Sequence, residues 1–302
     1  MQRLSPNQLD AAQTHLRQHG RPVDRALVAC ALLNARPGLV AHTLLPFQNR
    51  DGGIGHALEP DVRCPDSSAL ATCLALAILR QAGVADDHIV PQRAMLWLIN
   101  TFDRTANGWP IVPKEVAQHP AAPWWSFRPA AECRLNPRAE LVGHFHAYPE
   151  LVEEDFRCAL TDAVVNDVLA APGPLEMHDF VCCVRLAESP GLPDAERQRL
   201  RARLLADLPQ VVVTDPARWS GYGCRPLDVV TRPDSLFADE LREAVAANLD
   251  YLVDEQLPDG SWEPTWNWGE AHWEAWPRAR AEWTSYLTAR NLLLLQRFER
   301  LA

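Results

Sequence analysis

The residues able to do chemistry gather in two stretches of this sequence. The first, GHALEPDVRCPDSSA, carries His56, Glu59, Asp61 and Asp66. The second, EPTWNWGE, sets Glu263 and Glu270 among tryptophans. Two carboxylates held roughly 5 to 9.5 Å apart are the machinery of glycoside hydrolysis. Glu59, Asp61, Glu263 and Glu270 are therefore the candidates for a carbohydrate-active pair. His144-Phe-His146 has the look of a metal-ligand pair, but residues two apart on a helix diverge by about 200°. No metal site and no cofactor are expected. Glycine-rich phosphate loops, Gly-x-Ser-x-Gly and His-Glu-x-x-His are all absent from the sequence.

Eleven tryptophans stand in the 302 residues, and they cluster. One group is Trp109, Trp124 and Trp125 with Phe127; a second is Trp219 with Tyr222; the third is Trp262, Trp266, Trp268, Trp273, Trp276 and Trp283. Indoles in loops either pack over corners or bind something. As binders they make an aromatic-walled pocket for an apolar or cationic ligand. The candidate wall is Trp109, Trp124, Trp125, Trp219, Tyr222, Trp266, Trp268, Trp273 and Trp276.

The elements that must position these residues are helices. Apolar segments recur between proline and glycine punctuation, and the only strand candidate, Val211 to Thr214, is too short to build a sheet. Asp66 to Ala82 is apolar on every side and is expected deep inside the fold, while Asp234 to Leu257 carries a one-sided stripe. Pro65-Asp66-Ser67 recurs as Pro233-Asp234-Ser235, so Asp66 is expected to be an N-cap. A net charge of -10 argues against nucleic acid and anionic membrane as partners. No apolar run approaches the ~20 residues that span a bilayer. The eight scattered cysteines suit a reducing cytosol, so a cytoplasmic location is expected.

A repeat organises the chain. Gln256-x-x-Asp259-Gly260-Ser261-Trp262 near the end matches Gln48-x-x-Asp51-Gly52-Gly53-Ile54 near the front, and Asn107-Gly108-Trp109 is a weaker third copy. A helix–corner–helix unit cannot bury its apolar face alone, so neighbours must stack. The expected fold is all-α: a single α/α toroid of about ten to twelve helices over residues 1–302, with the helix of residues 1–20 packed on it.

This Gln-x-x-Asp-Gly-x-Trp repeat resembles the QW repeat of squalene and terpenoid cyclases, and is similar to the glycine-rich repeats of protein prenyltransferase β subunits. The resemblance implies an isoprenoid or other apolar substrate and, if the protein is catalytic, a cyclase-like isomerase or lyase. Such cyclases start by protonating an alkene from the central Asp of Asp-x-Asp-Asp-Thr-Ala. Cys64-Pro65-Asp66-Ser67-Ser68-Ala69 keeps only that Asp, so the resemblance makes Asp66 the candidate acid, with Glu59, Asp61 and His56 supplying the missing charge. The zinc-binding Asp-x-Cys pair of the prenyltransferases is not reproduced by Asp61-Val-Arg-Cys64. A carbohydrate-active α/α barrel with tryptophan platforms is the alternative enzyme. A non-catalytic toroid whose tryptophans dock a protein partner is the third reading.

Overall fold

The computed structural model describes residues 1–302, and it is all-α: twelve α-helices, with isolated β-bridges and no sheet. The chain divides into two compact units. A terminal unit joins Met1–Leu39 to Val212–Ala302, and a central unit is Val40–Val211.

The terminal unit holds α1 (Pro6–His19), α2 (Pro22–Leu33), α10 (Pro226–Val229), α11 (Arg242–Asp254) and α12 (Trp276–Arg297). Ser5 caps α1 in a reciprocal box with Gln8, and Pro6 sits at the first helical position, where a missing N–H leaves nothing unsatisfied. The two chain ends pair. Leu4 donates its N–H to Arg300 O at 2.8 Å, and Ala302 donates to Leu4 O at 3.1 Å. This places α1 beside α12.

The central unit holds α4 (Ala69–Gln81), α5 (Ile89–Thr101), α6 (Arg138–Ala147), α7 (Glu154–Ala170), α8 (Met177–Ala187) and α9 (Asp194–Val211), after α3 (Pro37–Leu44) at its start. Every residue from Arg138 to His146 of α6 is buried, and α4, α7 and α8 pack around it. α6 is thus the core helix of this unit, a place its two histidines and one glutamate do not advertise.

The two good corner copies are the same device. In each, the residue after the glutamine donates to the carbonyl of the next-to-last residue of the motif: Asn49 to Gly53 and Leu257 to Ser261, both at 2.9 Å. The glycine N–H returns to that same residue, Gly52 to Asn49 and Gly260 to Leu257. The aspartate accepts from the backbone two residues on, Gly53 from Asp51 and Ser261 from Asp259, both at 3.0 Å. The glutamine amide reaches two carbonyls: Gln48 bonds Gly52 and Val90 of α5, and Gln256 bonds Gly260 and Gln8 of α1. Ile54 N–H donates to Thr72 of α4, as Trp262 N–H does to Thr288 of α12. Even the ring nitrogen on each aspartate has the same register: Trp97 Nε1 bonds Asp51, and His15 Nδ1 lies 3.2 Å from Asp259. Trp97 stands seven residues beyond Val90, and His15 seven beyond Gln8. Gly52 and Gly260 have φ of 99° and 87°, and a Cβ on either would lie within 2.6 Å of the neighbouring helix backbone.

Corner, α4 and α5 in the central unit therefore correspond to corner, α12 and α1 in the terminal unit. The second repeat is assembled from the two chain ends. The weak third copy shares one element of the pattern, since Trp109 Nε1 bonds Leu98 of α5 as Trp262 Nε1 bonds Leu252 of α11, both at 2.8 Å. Asn107, at φ 56°, takes the left-handed place that Gly260 fills in the full motif.

Some boundaries differ from the sequence reading. α4 begins at Ala69, and its N-cap is Ser68, whose Oγ accepts from Ala71 N at 3.0 Å. The hydroxyl two residues later does what Asp66 was expected to do. Pro233-Asp234-Ser235 opens turns rather than a helix, and α11 starts at Arg242. There Ser235 Oγ accepts from Thr231 and Arg232, holding the chain in a turn. Val211 belongs to α9, and the expected strand shrinks to one bridge between Val212 and Cys224.

Candidate functional site

In the central unit the loop from Gly55 to Ser68 runs between the first corner and α4. It turns sharply: His56 and Ala57 both take left-handed φ, 52° and 61°. Consecutive non-glycine residues in that region store roughly 1–3 kcal/mol each and persist only where the surroundings fix them. The fixing is visible. His56 Nε2 meets Asn49 Oδ1 at 2.8 Å, and Asn49 Nδ2 donates to Pro65 O and Ser67 Oγ. Gly55 lies so close to the returning strand of the loop that a Cβ there would sit 2.2 Å from Pro65 O.

A second loop, residues 111–125, pairs with the first. Val62 bridges Ala121, Arg63 N–H donates to Pro120 O, and Ala122 N–H donates to Asp61 O. This pairing carries His119 to Cys64 and Asp66. One ligand atom from each of Cys64, Asp66 and His119 lies within 4.8 Å of the other two, and Cys64 Sγ donates to Asp66 Oδ2 at 3.3 Å. Cys64 is buried, His119 half-buried and Asp66 exposed. Burial, with added negative charge from Asp66 and Glu115, pushes the Cys64 thiol up to about 11. Beneath lies an apolar cluster of Val62, Ile111, Val112, Val116, Ala121 and Cys133, and Trp125 packs against it. Of the sequence candidates here, Asp61 is buried, Glu59 half-buried and His56 exposed. Sequence reading passed over His119 because fifty-three residues separate it from Asp66; only the loop pairing joins them.

A deeper cluster also gathers ligand-type atoms. Cys73 of α4 and Glu140 and His144 of α6 come within 4.8 Å of one another, all buried. Its members are already engaged. Arg185 of α8 bonds Glu140 at 2.6 Å; burial pulls that carboxyl upward, but the guanidinium outweighs it and holds the pKa below the ordinary value. Arg80, a donor only, meets His144 Nδ1 at 3.1 Å, so the ring proton sits on Nε2 and is directed at Cys73 O, 3.2 Å away. Burial drives His144 down to about 3 and His146 down to about 4, the latter helped by Arg157. His146 is occupied elsewhere, at 2.8 Å from Thr161 Oγ1. Both histidines are neutral core residues on different faces of α6.

The tryptophans sort into braces and surface rings. Trp109, Trp219, Trp262 and Trp268 are buried. Trp109, Trp219 and Trp262 each give the indole N–H to a backbone carbonyl: Leu98, Val213 and Leu252. Trp268 packs against the half-buried Trp276, ring centroids 5.7 Å apart. Trp124 is exposed and Trp125 half-buried.

In the terminal unit four rings form a continuous edge-to-face run. Tyr222 meets Trp266 at 6.0 Å, Trp266 meets Trp283 at 5.0 Å, and Trp283 meets Tyr286 at 5.5 Å. Tyr222, and Trp273 seven residues after Trp266, are 62% and 69% exposed, so this unit presents aromatic surface to solvent. α12 supplies Trp283 and Tyr286, three residues apart and thus on one face. The sequence grouped Trp283 with these tryptophans but did not single it out, nor Tyr286, as binders. Glu263 is held by Arg280 at 2.5 Å, while Glu270 is exposed.

Comparison with protein-family models, with curated proteins and with solved structures gave no match. No helix is long and apolar enough to cross a membrane.

Proposed function

We propose that this chain is an α/α toroid of the cyclase and prenyltransferase type that binds an isoprenoid or similarly apolar ligand. The fold part of this reading is supported by the two corners, whose backbone, glutamine and threonine bonds match one for one. Corners of that kind in those families join helices of two concentric rings.

The single observation that carries the binding reading is the run Tyr222–Trp266–Trp283–Tyr286 in the terminal unit. A ring that only braces a corner is buried, with its polar edge bonded to backbone, as Trp109 and Trp219 are. In the run Tyr222 is exposed and Trp266, Trp283 and Tyr286 are half-buried, which leaves ring surface accessible to apolar chains or developing positive charge. The carbohydrate alternative needs a free carboxylate pair beside the platform, and Glu263 is committed to Arg280. The proposal is confined to binding. Asp66 belongs to the other unit, is exposed rather than enclosed, and accepts a hydrogen bond from Cys64.

Titration of the tryptophan fluorescence with farnesol, squalene and an isoprenoid diphosphate, against cello- and malto-oligosaccharides, tests this. Saturable change with the isoprenoids is expected, and Trp266→Ala should weaken it about tenfold, or ~1.4 kcal/mol. Response to oligosaccharides alone, or an unaltered affinity in Trp266→Ala, overturns the reading.

A further inference from the structure

The geometry points to Cys64, Asp66 and His119 as a binding site for a zinc-class transition metal at the start of α4. Zinc bonds to thiolate, imidazole and carboxylate run roughly 2.0–2.3 Å, which sets its ligands about 3.5 Å from one another. Cys64 Sγ and Asp66 Oδ2 already stand 3.3 Å apart, and the three ligand atoms lie within 4.8 Å of one another. Closing on an ion therefore asks for about an ångström of movement among these ligand atoms. That backbone is fixed by the pairing of residues 61–63 with 120–122, which holds Cys64 and His119 on adjoining segments.

One sulfur, one nitrogen and one oxygen suit zinc or a neighbouring divalent ion and disfavour magnesium and calcium, which take oxygen alone. Three protein ligands leave a fourth position, and exposed Asp66 puts it on the solvent side. Apolar packing under Cys64, including Trp125, shields the sulfur from the other side.

The buried trio of Cys73, Glu140 and His144 has the same ligand spread but the opposite surroundings. Arg80 and Arg185 already occupy its imidazole and its carboxylate, and two guanidiniums repel a cation. It serves as an internal control. The proposed site also differs from the Asp-x-Cys pair of the zinc-binding prenyltransferases: here cysteine precedes aspartate, at the place where the cyclase resemblance puts an acid. It stands independently of the aromatic run in the other unit.

Full-length protein dialysed against chelator and titrated with Co2+ provides the test. One equivalent should produce thiolate-to-cobalt charge-transfer absorption, which one equivalent of Zn2+ then erases. Cys64→Ser should abolish that absorption, His119→Ala and Asp66→Asn should weaken binding at least about tenfold, and Cys73→Ser should change nothing. Should Cys64→Ser fail to fold by circular dichroism, the variants at exposed Asp66 and half-buried His119 decide the matter. Absence of charge transfer in the folded wild type overturns the site, as does its loss in Cys73→Ser or unweakened binding in both His119→Ala and Asp66→Asn.

Discussion

Single residues carry more of this fold than their types suggest. One amide group on Gln256 ties the corner carbonyl of Gly260 to Gln8 of α1. Each such bond is worth about 1 kcal/mol net, so Gln256→Ala should lower unfolding stability by about 2 kcal/mol, read from urea denaturation. A loss below ~0.5 kcal/mol would mean that water replaces the amide without penalty. At the start of α4 the hydroxyl of Ser68, not the carboxylate of Asp66, accepts from the first turn. Ser68→Ala should therefore cost about 1 kcal/mol, and Asp66→Ala much less. The reverse order in paired melts would restore Asp66 as the cap. This residue-level assignment was only partly legible in sequence: Asp, Ser and Ser in a row are all good caps, and the choice depends on where the preceding loop is pinned by Asn49 and Asp51.

At the scale of elements, α6 sets the pH behaviour of the central unit. Its His144 stays neutral in the fold down to about pH 3 because it is buried, although Glu140 pulls the other way. In an unfolded chain the same imidazole charges near 6.5. The folded pKa is thus the lower one, and below pH 6.5 the unfolded state holds the extra proton. Stability contributed by this residue is present above 6.5 and falls as pH drops toward 3, by about 1.4 kcal/mol per unit. His146, held down to about 4, acts in the same direction. Urea midpoints between pH 6.5 and 5 should decline accordingly, before most carboxylates titrate. A flat profile across that interval would show that water reaches these rings. The sequence revealed α6 as a helix and separated its two histidines onto different faces, yet not its burial on every side. That burial follows from α4, α7 and α8 closing around it, a tertiary fact that neither periodicity nor the charged residues of α6 announce. For the same reason the Cys64–Asp66–His119 grouping was out of reach: its two halves meet through backbone pairing between loops, where sequence pattern carries no period.

For the molecule as a whole, the two ends of the chain behave as one connection. Corner, α12 and α1 repeat the arrangement of corner, α4 and α5, but a covalent link of a few residues joins α4 to α5, whereas α12 meets α1 through the pairing of Leu4 with Leu301. Arg300 strengthens that junction by bonding Gln2 O and Asp250, both at 2.6 Å. If the junction is a structural equivalent of the loop between α4 and α5, closing it with a short glycine-rich linker should be tolerated. The chain can then be opened in the exposed Pro172-Gly173-Pro174 segment between α7 and α8, where space is open around Gly173 and Arg203 bonds the Gly173 carbonyl. A permutant opened between Gly173 and Pro174 should melt within a few degrees of the parent. Deletion of residues 1–20 makes the opposite case: it removes the carbonyl that Gln256 needs, the backbone against which Gly260 packs and the partner strand of Leu301. The terminal unit of that deletion should lose its cooperative thermal transition. Were the deleted chain to melt as the parent does, α1 would be an attachment rather than a member of the repeat, and the correspondence between the two corners would end at their turns.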